Sequence, residues 1–292
     1  MSTQRTNQIA VLGGTGKVGS QVIQFLSNWN LPVKALSRNI ANIKNLPAIE
    51  WIHGDMNDDK TLHKFMAGTS KLFLNSGIQP NMKELQCHII DVAKEAGVEY
   101  IIKLSTPSAR EKSKDPVGEW HWHVEEYLKA SGLQWNILQP QSFMQNWLGD
   151  VAESVRSERK IYSAAGKGKR AFIDTRDIGE IAATLFADTR EWTNKIIPLS
   201  GPKSVSYYDV AESIGKAIGE EVEYIEQTPE QARKRYEQKE TPEWAIKTFL
   251  AIAENQKTGA AEDLISQNLN LMLNKASRNI NDFSRDYVKE FR

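Results

Sequence analysis

Cysteine is nearly absent: Cys87 is the single one among 292 residues. It cannot close a disulfide within the chain, which excludes a cross-linked extracellular scaffold and suits a reducing compartment. Neither sign of charge is in excess, since 37 Lys and Arg stand against 37 Asp and Glu. No net field therefore draws the whole molecule toward nucleic acid or an anionic membrane, and neither partner is expected. No apolar run reaches the ~18–20 residues that a bilayer-spanning helix needs. The polar stretch from Met1 to Gln8 also lacks the charged, apolar and cleavage regions of a leader. With 18 Gly and 10 Pro, there is no collagen-like or low-complexity tract. Histidine is scarce at five. The spacings His53/His63 and His121/His123 come with no cysteines or matching carboxylates, so no metal is expected. The composition fits a cytoplasmic chain of one large or two coupled domains at ~100–200 residues each, with self-association left open.

What is present is a rhythm. Short apolar runs alternate with helical patterns through the first half, as buried parallel strands and their covering helices do. The strands are read at Ile9–Leu12, Val33–Leu36, Ile49–Ile52, Lys71–Leu74, Tyr100–Leu104 and Trp135–Leu138. Helices are read from Val18, Val22 and Leu26 on one face, then at Asp59–Ala67, Asn81–Ala96 and Gly118–Ala130. This pattern predicts an α/β fold: a Rossmann-type doubly wound parallel sheet over residues 1–155, followed by a smaller, mostly helical substrate-side lobe over 156–292. A segment near 193–220 is expected to return to the sheet. In the second half, Asp177, Ser206, Thr228 before Pro229 and Thr241 before Pro242 are read as helix caps.

Gly13-Gly14-Thr15-Gly16-Lys17-Val18-Gly19 directly follows the first strand and opens the first helix. Glycines there let backbone amides approach a pyrophosphate at a helix N-terminus, so a dinucleotide is the expected ligand. The second strand ends in Ser37-Arg38, where an NAD-specific site would offer Asp or Glu to the ribose hydroxyls. A serine hydroxyl and a guanidinium, with Lys17 across the turn, suit a 2′-phosphate, and NADPH is expected over NADH. Asp55 and Met56 follow the third strand, and Asn75, Ser76 and Gly77 follow the fourth, at the strand ends where ligands of such sheets bind.

With Lys103-Leu104-Ser105-Thr106, the His121–Gly132 helix, the Gln139–Asn146 segment, Phe172–Ile178, Leu199–Pro202 and Phe283–Asp286, these motifs run nearly end to end. Together they resemble the NmrA-like, atypical branch of the short-chain dehydrogenase/reductase superfamily. The resemblance implies an NAD(P)H-dependent reductase of quinone, azo or triphenylmethane acceptors, or else a nucleotide-sensing regulator without chemistry. The Tyr-x-x-x-Lys pair of the wider superfamily is absent after the fifth strand, which lowers a third reading as a sugar-nucleotide epimerase. His121 matches the position where reductases of this branch carry His or Lys near the nicotinamide, and Glu125 is one turn later. Histidine titrates near neutrality, so His121 is the catalytic candidate. Lys103, Gln141, Ser142 and Phe143 are cofactor-side candidates. Ser105, Thr106, Phe143, Met144 and Trp147 are substrate-side candidates, the last three as an apolar wall for a flat conjugated acceptor. Gln139 stands where relatives often show Arg.

Overall fold

The computed structural model describes residues 8–41, 43, 45–188, 191–260 and 264–292. Most of the stretch expected not to be a leader, residues 1–7, lies outside them. The first half alternates β1 (Ile9–Val11), α1 (Gly19–Asn28), β2 (Val33–Ser37), β3 (Ile49–His53), α2 (Asp59–Met66), β4 (Lys71–Leu74), α3 (Met82–Glu95), β5 (Tyr100–Leu104), α4 (Pro116–Ala130) and β6 (Gln134–Pro140). After it come α5 (Asp150–Glu158), β7 (Lys160–Ser163), α6 (Thr175–Ala187), β8 (Lys195–Leu199), α7 (Tyr207–Ile218), β9 (Glu223–Glu226), α8 (Pro229–Gln238) and α9 (Glu243–Lys257).

A seven-stranded sheet has the order β3-β2-β1-β4-β5-β6-β8, with parallel pairing throughout from β3 to β6. The order reverses at β1, which lies between β2 and β4, so the crevice beyond the C-terminal ends of β1 and β4 is the place such a sheet offers a ligand. The central strands are apolar on both faces because helices cover both: Ala10, Val11, Leu72, Phe73, Ile101 and Ile102 are all fully buried. One covering layer packs Leu62, Phe65, Ile89, Ile90, Val124 and Leu128 from α2, α3 and α4 into a single core. Each such side chain contributes roughly 1.5–3 kcal/mol relative to exposure.

The chain divides into two compact units, and both are discontinuous. The first takes the described residues up to Glu111, then Glu119–Gln139 and the described part of Thr175–Ile197. The second takes Lys112–Gly118, Pro140–Asp174 and the described residues from Pro198 on. The single division expected after residue 155 becomes several crossings because α6 packs closely on α1. A Cβ placed on Gly179 would lie 2.5 Å from that of Gln21. The second unit has its own core, with Trp147 set against Phe172 and Phe283 at ring-centroid distances of 4.9 and 5.4 Å.

Two caps differ from expectation. Helix α6 starts at Thr175, so Asp177 is its third residue and not the cap before it. Helix α9 starts at Glu243, which puts Pro242, and not Thr241, at its cap. Ser206 and Thr228 each form the expected cap, in a reciprocal box with Asp209 and Gln231. The second unit, expected to be mostly helical, also contains a parallel pair, β7 with β9. Four-residue strands edged by Lys160, Glu223 and Glu226 carry too little alternation to read.

Candidate functional site

The glycine turn stands at the sheet's switch point. Gly13 has φ +68°, and a Cβ there would lie 2.7 Å from the Asn75 carbonyl oxygen at the end of β4. A Cβ on Gly19 would lie 2.1 Å from the Gly13 carbonyl oxygen, which the Gly16 amide already bonds at 2.9 Å. The turn is therefore folded tightly on itself, and Gly14 and Val18 are buried beneath it. Thr15, Gly16 and Lys17 form its exposed rim. Helix α1 begins without a side-chain cap and without an acidic residue in its first turn. The positive end of its dipole therefore meets no carboxylate from its own first turn, although the Ser20 and Gln21 amides already bond the Gly16 and Val18 carbonyls.

Beside this turn, β2 ends in Ser37, whose Oγ donates to the Asn39 carbonyl at 2.8 Å, and then the exposed Arg38. Asp55 accepts from the Asn57 amide at 3.0 Å and from its side-chain Nδ2 at 2.8 Å, both on Oδ1. Those bonds, with the Arg38 charge nearby, hold the Asp55 carboxyl below the usual carboxylate range. Met56 is half-buried and packs against the core of the first unit. Ser76 Oγ accepts from the buried Gln86 amide at 2.8 Å, while Gly77 is exposed with open space around it.

A buried polar cluster lies at the ends of β5 and β6. Lys103 is fully buried on the sheet face that carries Ile101, and its Nζ donates to the Leu104 carbonyl at 3.0 Å and to His121 Nδ1 at 2.8 Å. Burial pushes the Lys103 ammonium down to about 7, against the opposing pull of the Glu125 charge. Burial first, and the Lys103 charge second, hold His121 well below its ordinary value, so the imidazole is neutral at pH 7. A neutral ring that accepts at Nδ1 carries its proton on Nε2. Ser105 Oγ donates to Glu125 Oε1, and Gln139 Nε2 donates to the same oxygen at 2.9 Å. Thr106 bonds locally to Ser108 at 3.2 Å.

Lys103, expected against the cofactor, turns to His121 because the alternation of β5 sends it to the face covered by α4. Ser105, two residues on, turns to Glu125. The contribution of Glu125 and Gln139 to this cluster was not read from the sequence. The signal was available: Lys103 and Ser105 are spaced i, i+2 on a strand, while His121 and Glu125 are spaced i, i+4 on a helix, so two ladders face each other rung for rung.

The remaining candidates belong to the second unit. Gln141 is buried, its Oε1 accepting from Arg170 Nη1 at 3.1 Å and its amide bonding the Leu199 carbonyl at 2.8 Å. Ser142 and Met144 are pinned to Ile173 through backbone bonds of 3.0 and 2.9 Å. Phe143 between them is partly exposed. Met144 and Trp147 keep only 1% and 2% of their surface and belong to the unit's core. As a correction to the expected apolar wall, their surface is already taken up by protein, and Phe143 alone of the three has area to offer. Among the described residues, no group of His, Cys, Asp or Glu could hold a metal, and no helix is long and apolar enough to cross a membrane.

The sequence pattern of the NmrA-like family matches residues 5–283. The chain belongs to the NmrA-like family. Within and around that family, it is 33% identical over 227 residues to an NAD(P)H azoreductase of Xenophilus azovorans, covering 77% of this chain and 79% of that one. Its fold matches a triphenylmethane reductase of Citrobacter sp., solved with NADP(H), with a TM-score of 0.82 at 22% identity, over 98% of this chain and 100% of that one. It also matches NmrA, a negative transcriptional regulator solved with NADP, with a TM-score of 0.79 at 15% identity, over 98% and 96% of the two chains.

Proposed function

We propose that this NmrA-like protein is an NADPH-dependent oxidoreductase that reduces a conjugated small-molecule acceptor, of the quinone or azo class, by hydride transfer. The observation that carries the reading is the glycine turn at the switch point, too tight for any side chain at Gly19, leading into a helix with no side-chain cap and no acidic residue in its first turn. A pyrophosphate fits that cradle. Thr15, Gly16 and Lys17 would hold it, and Arg38 would take the 2′-phosphate of NADPH through charge-assisted bonds. When bound, the dihydronicotinamide supplies the hydride, and the protein's part is to hold, orient and protonate. The likeness to an azoreductase at 33% identity supports the acceptor class. His121 supports chemistry over sensing, because a neutral imidazole with its proton on Nε2 is a ready donor to a developing anion.

The test is oxidation of NADPH by the purified protein with a panel of quinones and azo compounds. Steady consumption above the protein-free rate supports the reading. Tight NADPH binding with no consumption by any acceptor sinks it and favours a sensor. For cofactor choice, Arg38→Asp is expected to weaken NADPH binding by roughly 10–100-fold, since a charge-assisted bond contributes ~1.5–3 kcal/mol. NADH binding should change by less than about threefold. Calorimetric titration of both nucleotides checks this, and equal losses would remove Arg38 from the 2′-phosphate.

A further inference from the structure

The cluster behind His121 does more than position a ring. A fully buried ammonium is expensive, costing several kcal/mol after relaxation, and an apolar residue would fill the same space without that cost. Lys103 is nevertheless there, level with the apolar Leu74 and Ile137 on the neighbouring strands. Two of its N–H bonds are spent, one on the Leu104 carbonyl and one on His121 Nδ1. At its other nitrogen, His121 makes no hydrogen bond among the described residues. Among the described residues, Nε2 is not one of the sealed, unsatisfied atoms, and His121 keeps 7% of its surface. The imidazole thus has one nitrogen against a buried proton source and the other without a protein partner among the described residues.

We propose that Lys103 supplies the proton of the reduction through His121: the Lys103 Nζ proton passes to Nδ1 as the Nε2 proton passes to the anion forming on the acceptor. This rests on the reductase reading above. Lys103 touches neither substrate nor cofactor and acts only through the ring. In the balance for a quinone, the bound nicotinamide would supply a hydride whose C–H bond breaks as one quinone oxygen takes the hydrogen with its electron pair; the ring π electrons shift onto the other oxygen, and that oxygen takes the Nε2 proton to complete the hydroquinone. The acceptor is reduced and the nicotinamide oxidised. His121 ends neutral with its proton on Nδ1 and Lys103 ends as a neutral amine. A water proton entering at Nε2 then returns the Nδ1 proton to Nζ and restores both.

The charged and titratable groups around the relay favour it. Glu125 on α4, held by Ser105 and the neutral Gln139, keeps a proton on Lys103. Cys87 on α3 also faces Lys103, but burial, with Asp91 and Glu84, pushes its thiol up, so it is neutral near pH 7. With the Lys103 ammonium down to about 7, delivery of its proton is nearly balanced near neutrality, where general acids work best.

The experiment compares two acceptors that differ in their need for a proton. A quinone needs hydride and a proton, whereas a triphenylmethane dye cation becomes its leuco form by hydride alone. In single-turnover reductions with NADPH, Lys103→Met is expected to slow the quinone by about 10²-fold. It should also abolish the fall in quinone rate that the wild type shows as pH rises through about 7. Dye reduction should change by less than about twofold. Equal losses with both acceptors, or an unchanged quinone rate, overturn the relay. A wild type inactive with both acceptors overturns the reductase reading itself, which is a different result. A readout independent of turnover is ¹⁵N NMR of the ligand-free wild type. At pH 6, where Lys103 carries its proton, His121 should be neutral and protonated on Nε2, and an imidazolium or an Nδ1–H ring there overturns the proposal even if Lys103→Met fails to fold.

Discussion

Gly19→Ala should cut NADPH affinity by at least about 100-fold and lower the stability of the first unit, although alanine is ordinarily the better helix residue. At the first position of α1 the usual gain from Gly to Ala is at most about 1 kcal/mol. Here the added methyl would arrive 2.1 Å from the Gly13 carbonyl oxygen and 3.0 Å from the Gly14 Cα, both of them backbone that no rotamer change can move. Forcing atoms into a filled space costs about 1–3 kcal/mol, which outweighs the propensity term. Relief requires the turn to open, and opening it takes the Thr15, Gly16 and Lys17 backbone away from the position that a pyrophosphate would occupy. Denaturant melts and nucleotide titration of the full chain would report both losses. A variant that binds NADPH normally would show that the turn does not hold the phosphates.

Trp147→Ala should lower the stability of the second unit by about 3–5 kcal/mol, the usual result of emptying a buried aromatic site. Trp147 is set against both Phe172 and Phe283, and Met144 is buried beside it in the same core, so no small movement closes the gap. Urea unfolding followed by far-UV circular dichroism checks this. Had Trp147 formed a substrate wall, the same change would leave the midpoint in place and raise the acceptor KM. The two readings of this residue therefore part on one measurement.

The parallel sheet was legible in the sequence because its strands are buried on both faces. Runs such as Tyr100-Ile101-Ile102-Lys103-Leu104 are too short for a covering helix and rich in β-branched and aromatic residues, and glycine-rich or polar turns punctuate them. The phosphate turn was legible for a different reason, since only glycine satisfies the Gly13 torsion and the Gly19 contact. The discontinuous units were not legible, because what joins α6 to the first unit is close helix packing at Gly179, a contact between segments far apart in the chain. Nor was the fate of the 141–147 segment. Gln141, Met144 and Trp147 look like pocket residues in sequence, yet Arg170 and the aromatic core engage them, and those partners come from segments distant in the chain. His121 was singled out for its type and position. Its electrical state is set by burial first and then by Lys103, eighteen residues away along the chain and 2.8 Å away in space.

Burial of Lys103 also leaves a mark on the folding equilibrium as a whole. Its ammonium is down to about 7 in the folded chain, against 10.5 for a free lysine, so between those values the unfolded chain binds the additional proton. Folding is therefore linked to proton release, and this residue's contribution makes unfolding harder as the medium turns alkaline from about 7 toward 10.5. The penalty is complete below that window and gone above it. Relative to wild type, Lys103→Met should accordingly hold its largest stability advantage near neutral pH and lose it by pH 10, as paired urea titrations at the two values would reveal. A protein that stores its proton in the interior would then be at its most robust when that store is empty.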